Sequence, residues 1–69
     1  MPKEHLKSLE NKHIMIHLKK EKTFSGILEE FDDHMNISLK NAIEHAEEDI
    51  KLGKVIVNGG FIAFIENME

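Results

Sequence analysis

The chain has no cysteine, no tryptophan, no tyrosine, no arginine and a single proline in 69 residues. Without cysteine there is no disulfide to staple a small fold and no thiolate to act as nucleophile or metal ligand. The same lack fits a reducing setting, so a cytoplasmic location is the expectation. Without arginine no guanidinium is available to stack on a base or grip a phosphate. Nine lysines face thirteen carboxylates, for a net charge of −4. A monomer that binds duplex DNA through phosphates shows a basic face, and this balance excludes that kind of binding. No apolar run approaches the roughly 18 residues of a membrane span. The start, Met1-Pro2-Lys3-Glu4-His5, is polar, lacks an apolar signal core and reads as mature protein.

Catalytic signals are equally scarce. There is no Gly-rich phosphate loop, and Ser8, Ser25 and Ser38 sit in no recognisable nucleophile context. His13 and His17 are four apart, but four residues of strand span about 13 Å, too far for one metal ion. Asp32 and Asp33 are adjacent on a turn, which is a weak cation signal. No enzyme activity, cofactor or metal is expected.

What is present is a patterned, compact chain. Ile, Leu, Val and Phe supply 21 of the 69 residues and recur periodically, which excludes disorder. The length fits one domain, residues 1–69. A lone core below roughly 70–80 residues is marginal, so some further staple is needed. With no disulfide, oligomerisation is the one left.

The first stretch, about residues 2–10, reads as a short helix. Pro2 suits its first turn, Leu6 and Leu9 share a face, and Asn11 can take the left-handed conformation that ends it. From residue 13 the period drops to two. Ile14, Ile16 and Leu18 alternate with polar neighbours on a first strand. Lys20-Glu21-Lys22 makes a charged turn. Phe24, Gly26 and Leu28 mark a second strand, with Gly26 at a bend or bulge. Phe31-Asp32-Asp33-His34 closes it with turn residues. Met35, Ile37 and Leu39 alternate on a third strand that can run to Glu44. Residues 45–52 read as an acidic connection, with Gly53 permitting a turn out of it. Val55-Ile56-Val57 is a fourth strand, Asn58-Gly59 a hairpin signal, and Phe61-Ile62-Ala63-Phe64-Ile65 a fifth. The class is therefore all-β with a short N-terminal helix, a bent five-stranded antiparallel sheet or small open barrel, its strands lying within about residues 13–65.

The last two strands are almost continuously apolar, and such strands need cover on both faces. So short a chain cannot supply it alone. Val55, Ile56, Val57, Phe61, Ile62 and Phe64 are therefore candidates for a surface between subunits.

Two blocks carry a family resemblance. One runs Phe24-x-Gly26-x-Leu28-x-x-Phe31-Asp32-x-His34-Met35-Asn36-x-x-Leu39, with Glu44 beyond it. The other runs Leu52-Gly53-x-Val55-x-Val57-Asn58-Gly59-Gly60-x-Ile62-x-x-Ile65. Together they resemble the two motifs of the Sm and Sm-like (LSm) RNA-binding family, most closely its compact archaeal members. The resemblance implies a ring of six or seven subunits in which the fourth strand of one copy pairs with the fifth strand of the next. It also implies binding of uridine-rich single-stranded RNA at the pore, and a role as RNA chaperone or scaffold in RNA processing. By motif position His34 stacks on the base, Asn36 meets the uracil edge and Asp32 braces the turn.

The second motif departs from the family pattern. Asn58 stands where the family has an arginine, and Gly60 where it often has a carboxylate that orients the pocket asparagine. Gly59 is the turn glycine and can let backbone approach RNA. An asparagine supplies no cation–π attraction, so weaker uridine binding or an altered base preference is expected. The alternative is a structural or protein-interaction ring whose uridine pocket is degenerate.

Overall fold

The computed structural model describes residues 3–69. Helix α1 (Lys3–Ser8) is followed by β1 (His13–Leu18), β2 (Thr23–Phe31), β3 (Ile37–His45), β4 (Ile50–Val57), a 3-10 turn (Gly59–Phe61) and β5 (Ile62–Asn67). The expected place of Pro2 in the first helical turn lies outside the described residues. A six-residue helix cannot persist alone. It is held because Leu6, and Leu9 just beyond it, are buried in the core. Asn11 does take a positive φ of 64°, and its backbone N–H donates to the Leu28 carbonyl at 2.8 Å, which fixes the helix exit to β2.

The five strands form one antiparallel sheet in the order β4-β3-β2-β1-β5. The alternating residues of β1 to β3 point inward as their period requires. Ile14, Ile16, Leu28, Ile37 and Leu39 are fully buried, with Phe24, Ala42 and Val57 around them. The β2–β3 register shifts between Ser25 and Ile27, at Gly26. A Cβ on Gly26 would stand 3.0 Å from the Lys40 carbonyl oxygen and 3.2 Å from the Leu39 Cβ. The absence of a side chain lets β3 cross close there, and the sheet bends.

Three expectations need correction. The acidic connection is shorter than residues 45–52: β3 runs through His45 and β4 starts at Ile50. Gly53 does not turn the chain out of a loop. It lies inside β4 with φ of 75°, paired with Ala42 at a register shift beside the left-handed Asn41, so it accommodates a bulge. Asn58-Gly59 does not close a hairpin. β4 pairs with β3 and β5 with β1, so the two strands lie at opposite edges of the sheet. The 3-10 turn carries the chain across the end of the barrel from one edge to the other, and the fifth strand begins at Ile62, after Phe61.

Among the described residues each outer strand has one neighbour in the sheet. The candidate interface residues divide between two environments. Val57 is buried in the core, and Val55 and Ile62 pack partly against it. Ile56, Phe61 and Phe64 are exposed by 70%, 61% and 52%. No helix among the described residues is long and apolar enough to cross a membrane.

Candidate nucleic-acid interface

The turn between β2 and β3 is built around one carboxylate. Asp32 Oδ1 accepts the backbone N–H of His34 and that of Asn36, both at 2.9 Å. Asp32 Oδ2 accepts the Asn36 side-chain Nδ2–H at 3.0 Å. The backbone closes the same loop, with Met35 N donating to Asp32 O and Asp32 N to Asn36 O. These bonds hold the Asp32 carboxyl below its usual pKa of 3.8, chiefly through the backbone N–H of Asn36 and then its side-chain amide. Met35 takes a left-handed φ of 64°. For a residue with a Cβ that conformation costs on the order of 1–2 kcal/mol, and the surrounding bonds sustain it.

The second contribution comes from the 3-10 turn. Gly59 N donates to Asn36 Oδ1 at 2.9 Å. Both ends of the Asn36 amide are therefore assigned. A carboxylate can only accept and a backbone N–H can only donate, so Nδ2 faces Asp32 and Oδ1 faces Gly59. One Nδ2–H and one Oδ1 lone pair remain for a ligand. Gly59 can approach only because it lacks a side chain. A Cβ there would lie 2.3 Å from the His34 carbonyl oxygen and 2.6 Å from that of Met35.

A family model described as the LSM domain matches residues 4–67. The chain belongs to the Sm-like, or LSM, family. A protein of Thermoplasma acidophilum described as an snRNP Sm-like protein is 36% identical over 66 residues, covering 93% of this chain and 80% of that one. Among solved structures, the SmAP1 heptamer of Pyrobaculum aerophilum has a TM-score of 0.91 at 28% identity, over 97% of this chain and 92% of that one. The Sm protein of Pyrococcus abyssii, solved in complex with a uridine heptamer, has a TM-score of 0.89 at 27% identity, over 99% of each chain. The helix and bent antiparallel sheet of this LSM chain are thus the fold of that family.

Within the LSM fold, the residues singled out in the sequence come together unevenly. Asp32, Asn36 and Gly59 form one bonded network, and His34 is attached to it through its backbone N–H, with an exposed side chain. Asn58 is exposed and its Oδ1 accepts Gly60 N at 2.8 Å, capping the 3-10 turn. Gly60 therefore supplies a backbone donor to Asn58 and nothing to Asn36. Sequence reasoning missed the Asn36–Gly59 bond and the left-handed Met35. A methionine gives no sign of a positive φ, but the doubled glycine after Asn58 was a usable hint of a close approach. It also missed a relay at the other end of β3: His45 Nδ1 donates to Asp49 Oδ1 at 3.2 Å, and His45 Nε2 meets the Ser25 hydroxyl at 2.7 Å. Ser25 is only 3% exposed, so this arrangement gives no substrate access to the hydroxyl.

Proposed function

We propose that the protein assembles head to tail into a closed ring of six or seven copies, and that the ring binds uridine-rich single-stranded RNA around its pore as a cytoplasmic RNA chaperone or scaffold in RNA processing. The observation that carries this reading is the fixed Asn36 amide. Its remaining Oδ1 lone pair suits the uracil N3–H, and its remaining Nδ2–H suits a neighbouring uracil carbonyl. Cytosine presents an acceptor at N3 and a donor amine beside it, the reverse order. A free amide would flip to match either base, whereas this one is held by Asp32 and Gly59. His34 supplies a ring for the base to stack on, an interaction worth about 1–3 kcal/mol per base. One such site is weak, and several copies on one strand gain by avidity.

The ring is supported by the two single-neighbour edges, β4 and β5, and by the exposed Ile56 and Phe64 on them. Pairing one edge with the other copy's edge is a heterologous contact that closes by rotation, and it removes two exposed strand edges at once. The neighbouring structures support it too, one being a heptamer and one holding a uridine heptamer.

A second reading, a structural or protein-interaction ring, is favoured by Asn58. Its side-chain oxygen is spent on the turn, and the chain carries no arginine and a charge of −4. Seven copies at −4 each would carry −28, a long-range repulsion for RNA at low salt. Native mass spectrometry followed by fluorescence anisotropy with labelled oligo-U, oligo-A and oligo-C separates the two. The RNA reading expects a ring that prefers oligo-U and loses that preference with Asn36→Ala. A ring that binds none of the three at tens of micromolar would replace it with the second reading.

A further inference from the structure

The 3-10 turn has a second face. While Gly59 N reaches Asn36 on one side, Phe61 O accepts Lys19 N at 2.8 Å on the other. That bond seats the β1–β2 loop against the turn. Between them lies an open hollow of about 360 Å³, lined by Leu18, Lys19, Lys20, Lys22 and Phe61. The volume falls within the roughly 300–1,000 Å³ of small-ligand sites. Its lining is apolar, made by the half-buried Leu18, the exposed Phe61 and the aliphatic stems of the three lysines, whose charged ends belong to the same exposed loop.

This local composition runs against the rest of the chain. Three of nine lysines fall within four residues of a protein whose net charge is −4. Only Lys22 has a carboxylate within reach, Glu44 at 3.8 Å and still largely exposed, among the described residues. Glu21, in the same loop, is exposed and does not line the hollow. Like charges held together without counterions repel, and an exposed phenyl ring is poorly placed in water. A ligand with an aromatic plane and an attached anion answers both features, and a nucleotide is that ligand.

We propose that this hollow is a second RNA subsite, in which a nucleotide next to the one read by Asn36 stacks on Phe61 while its phosphate lies among Lys19, Lys20 and Lys22. The cation that the second motif lacks at Asn58 is thereby supplied from the β1–β2 loop. Gly59 and Phe61 are the first and last residues of the same 3-10 turn, so the two sites share one short element. Phe61 ends the 3-10 turn where it meets β5, and its exposed side chain lines the hollow. The subsite reads no base identity: stacking and phosphate binding are sequence-tolerant.

The proposal rests on the RNA-binding reading above, and the test separates the two. Oligo-U and oligo-A are titrated by anisotropy across a salt series against the parent ring, a Lys19→Gln/Lys20→Gln/Lys22→Gln variant, Phe61→Ser, and Asn36→Ala, each confirmed as a ring by native mass spectrometry. The triple variant is expected to weaken both RNAs and to flatten the log–log salt dependence by about 0.7 for each phosphate that is no longer neutralised. Phe61→Ser should weaken both RNAs with the salt slope retained. Asn36→Ala should lower the preference for U with the slope retained. A parent with U preference whose affinity and slope are unchanged in the lysine and Phe61 variants would overturn the subsite alone, and would leave the hollow to an acidic protein partner. A parent ring that binds neither RNA would overturn both readings.

Discussion

Strand β3 is held differently at its two ends. At its start, the turn from Asp32 to Asn36 is tied by three bonds to one carboxylate, a fourth from Gly59, and a glycine packed on two carbonyls. At its finish, residues 46–49 are exposed, and the described link back to the sheet is the single chain Asp49–His45–Ser25. Both ends are polar and acidic, so composition does not distinguish them. What differs is the number of constraints per residue. The first end holds the Asn36 amide in one orientation, which is the basis of the proposed preference for uracil. The second end rests on one chain of side-chain bonds that ends on the buried Ser25 hydroxyl.

The largest expected effect breaks the first end. In Gly59→Ala the new Cβ must displace the carbonyls of His34 and Met35, which are backbone atoms of an already strained turn. The strain is on the order of 1–3 kcal/mol or more, and the Asn36–Gly59 bond is broken with it. Thermal unfolding at matched concentration should show a lower transition, and oligo-U binding should disappear. Retention of both would mean that the 3-10 turn is free to slide off the site.

Next in size is Asp32→Ala, which removes the brace and leaves the fold. The Asn36 amide then keeps only its bond from Gly59, and the preference for oligo-U over oligo-C should fall while stacking on His34 keeps some affinity. The pH dependence has a fixed sign. The Asp32 carboxyl is held below 3.8 in the folded turn, so its contribution is fully present above that value and fades as the pH falls through the lower, folded value. NMR of the Asn36 side-chain amide should therefore show an unchanged turn at neutral and mildly acidic pH, with opening confined to pH below 3.8. An opening already at mildly acidic pH would mean that a group other than Asp32 governs the turn.

How much of this was legible in the sequence follows the same division. The strands with clean alternation, such as Ile14-Met15-Ile16, were readable because period two and burial on one face are the same fact. Asp32 and His34 were readable as turn residues from their types, whereas Met35 and Asn36 were read onto the third strand, which starts only at Ile37, and the place of Asn36 in the site came from the family resemblance. Pairing was not: Asn58-Gly59 is the usual mark of a hairpin, yet the chain crosses to the far edge of the sheet. A local signal cannot report that Gly59 is used to approach residues 34–36, over twenty positions earlier. The extent of β4 was hidden for a related reason. Lys51 and Lys54 broke the apolar run, and the bulge at Ala42 and Gly53 broke the alternation.

At the other end of β3, His45→Ala is expected to cost stability but not RNA binding. It leaves the buried Ser25 hydroxyl without its partner, a penalty of about 1–3 kcal/mol. For a domain of this size each 1 kcal/mol lowers the melting temperature by roughly 4–8 °C. A Ser25→Ala/His45→Ala double variant should recover part of that stability, because no polar atom is then stranded. An equal penalty in the double variant would assign the effect to His45 packing rather than to the hydrogen bond.

The smallest effect belongs to the neighbour of the brace. Asp33 adjoins Asp32 and its carboxyl is also held below the usual 3.8, but chiefly by the hydrogen bond from the Lys3 ammonium. That pair is exposed, with side chains 57% and 82% accessible, so solvent and salt screen it. Lys3→Gln should move the Asp33 titration back up while leaving the melting temperature and oligo-U affinity unchanged at physiological salt. Two adjacent carboxylates shifted the same way thus have opposite consequences. Asp32 organises three donors of its own turn, whereas Asp33 meets one flexible cation from α1. If Lys3→Gln destabilised the protein as much as His45→Ala, the helix would be clamped by charge, and the burial of Leu6 and Leu9 would not be what holds it to the sheet.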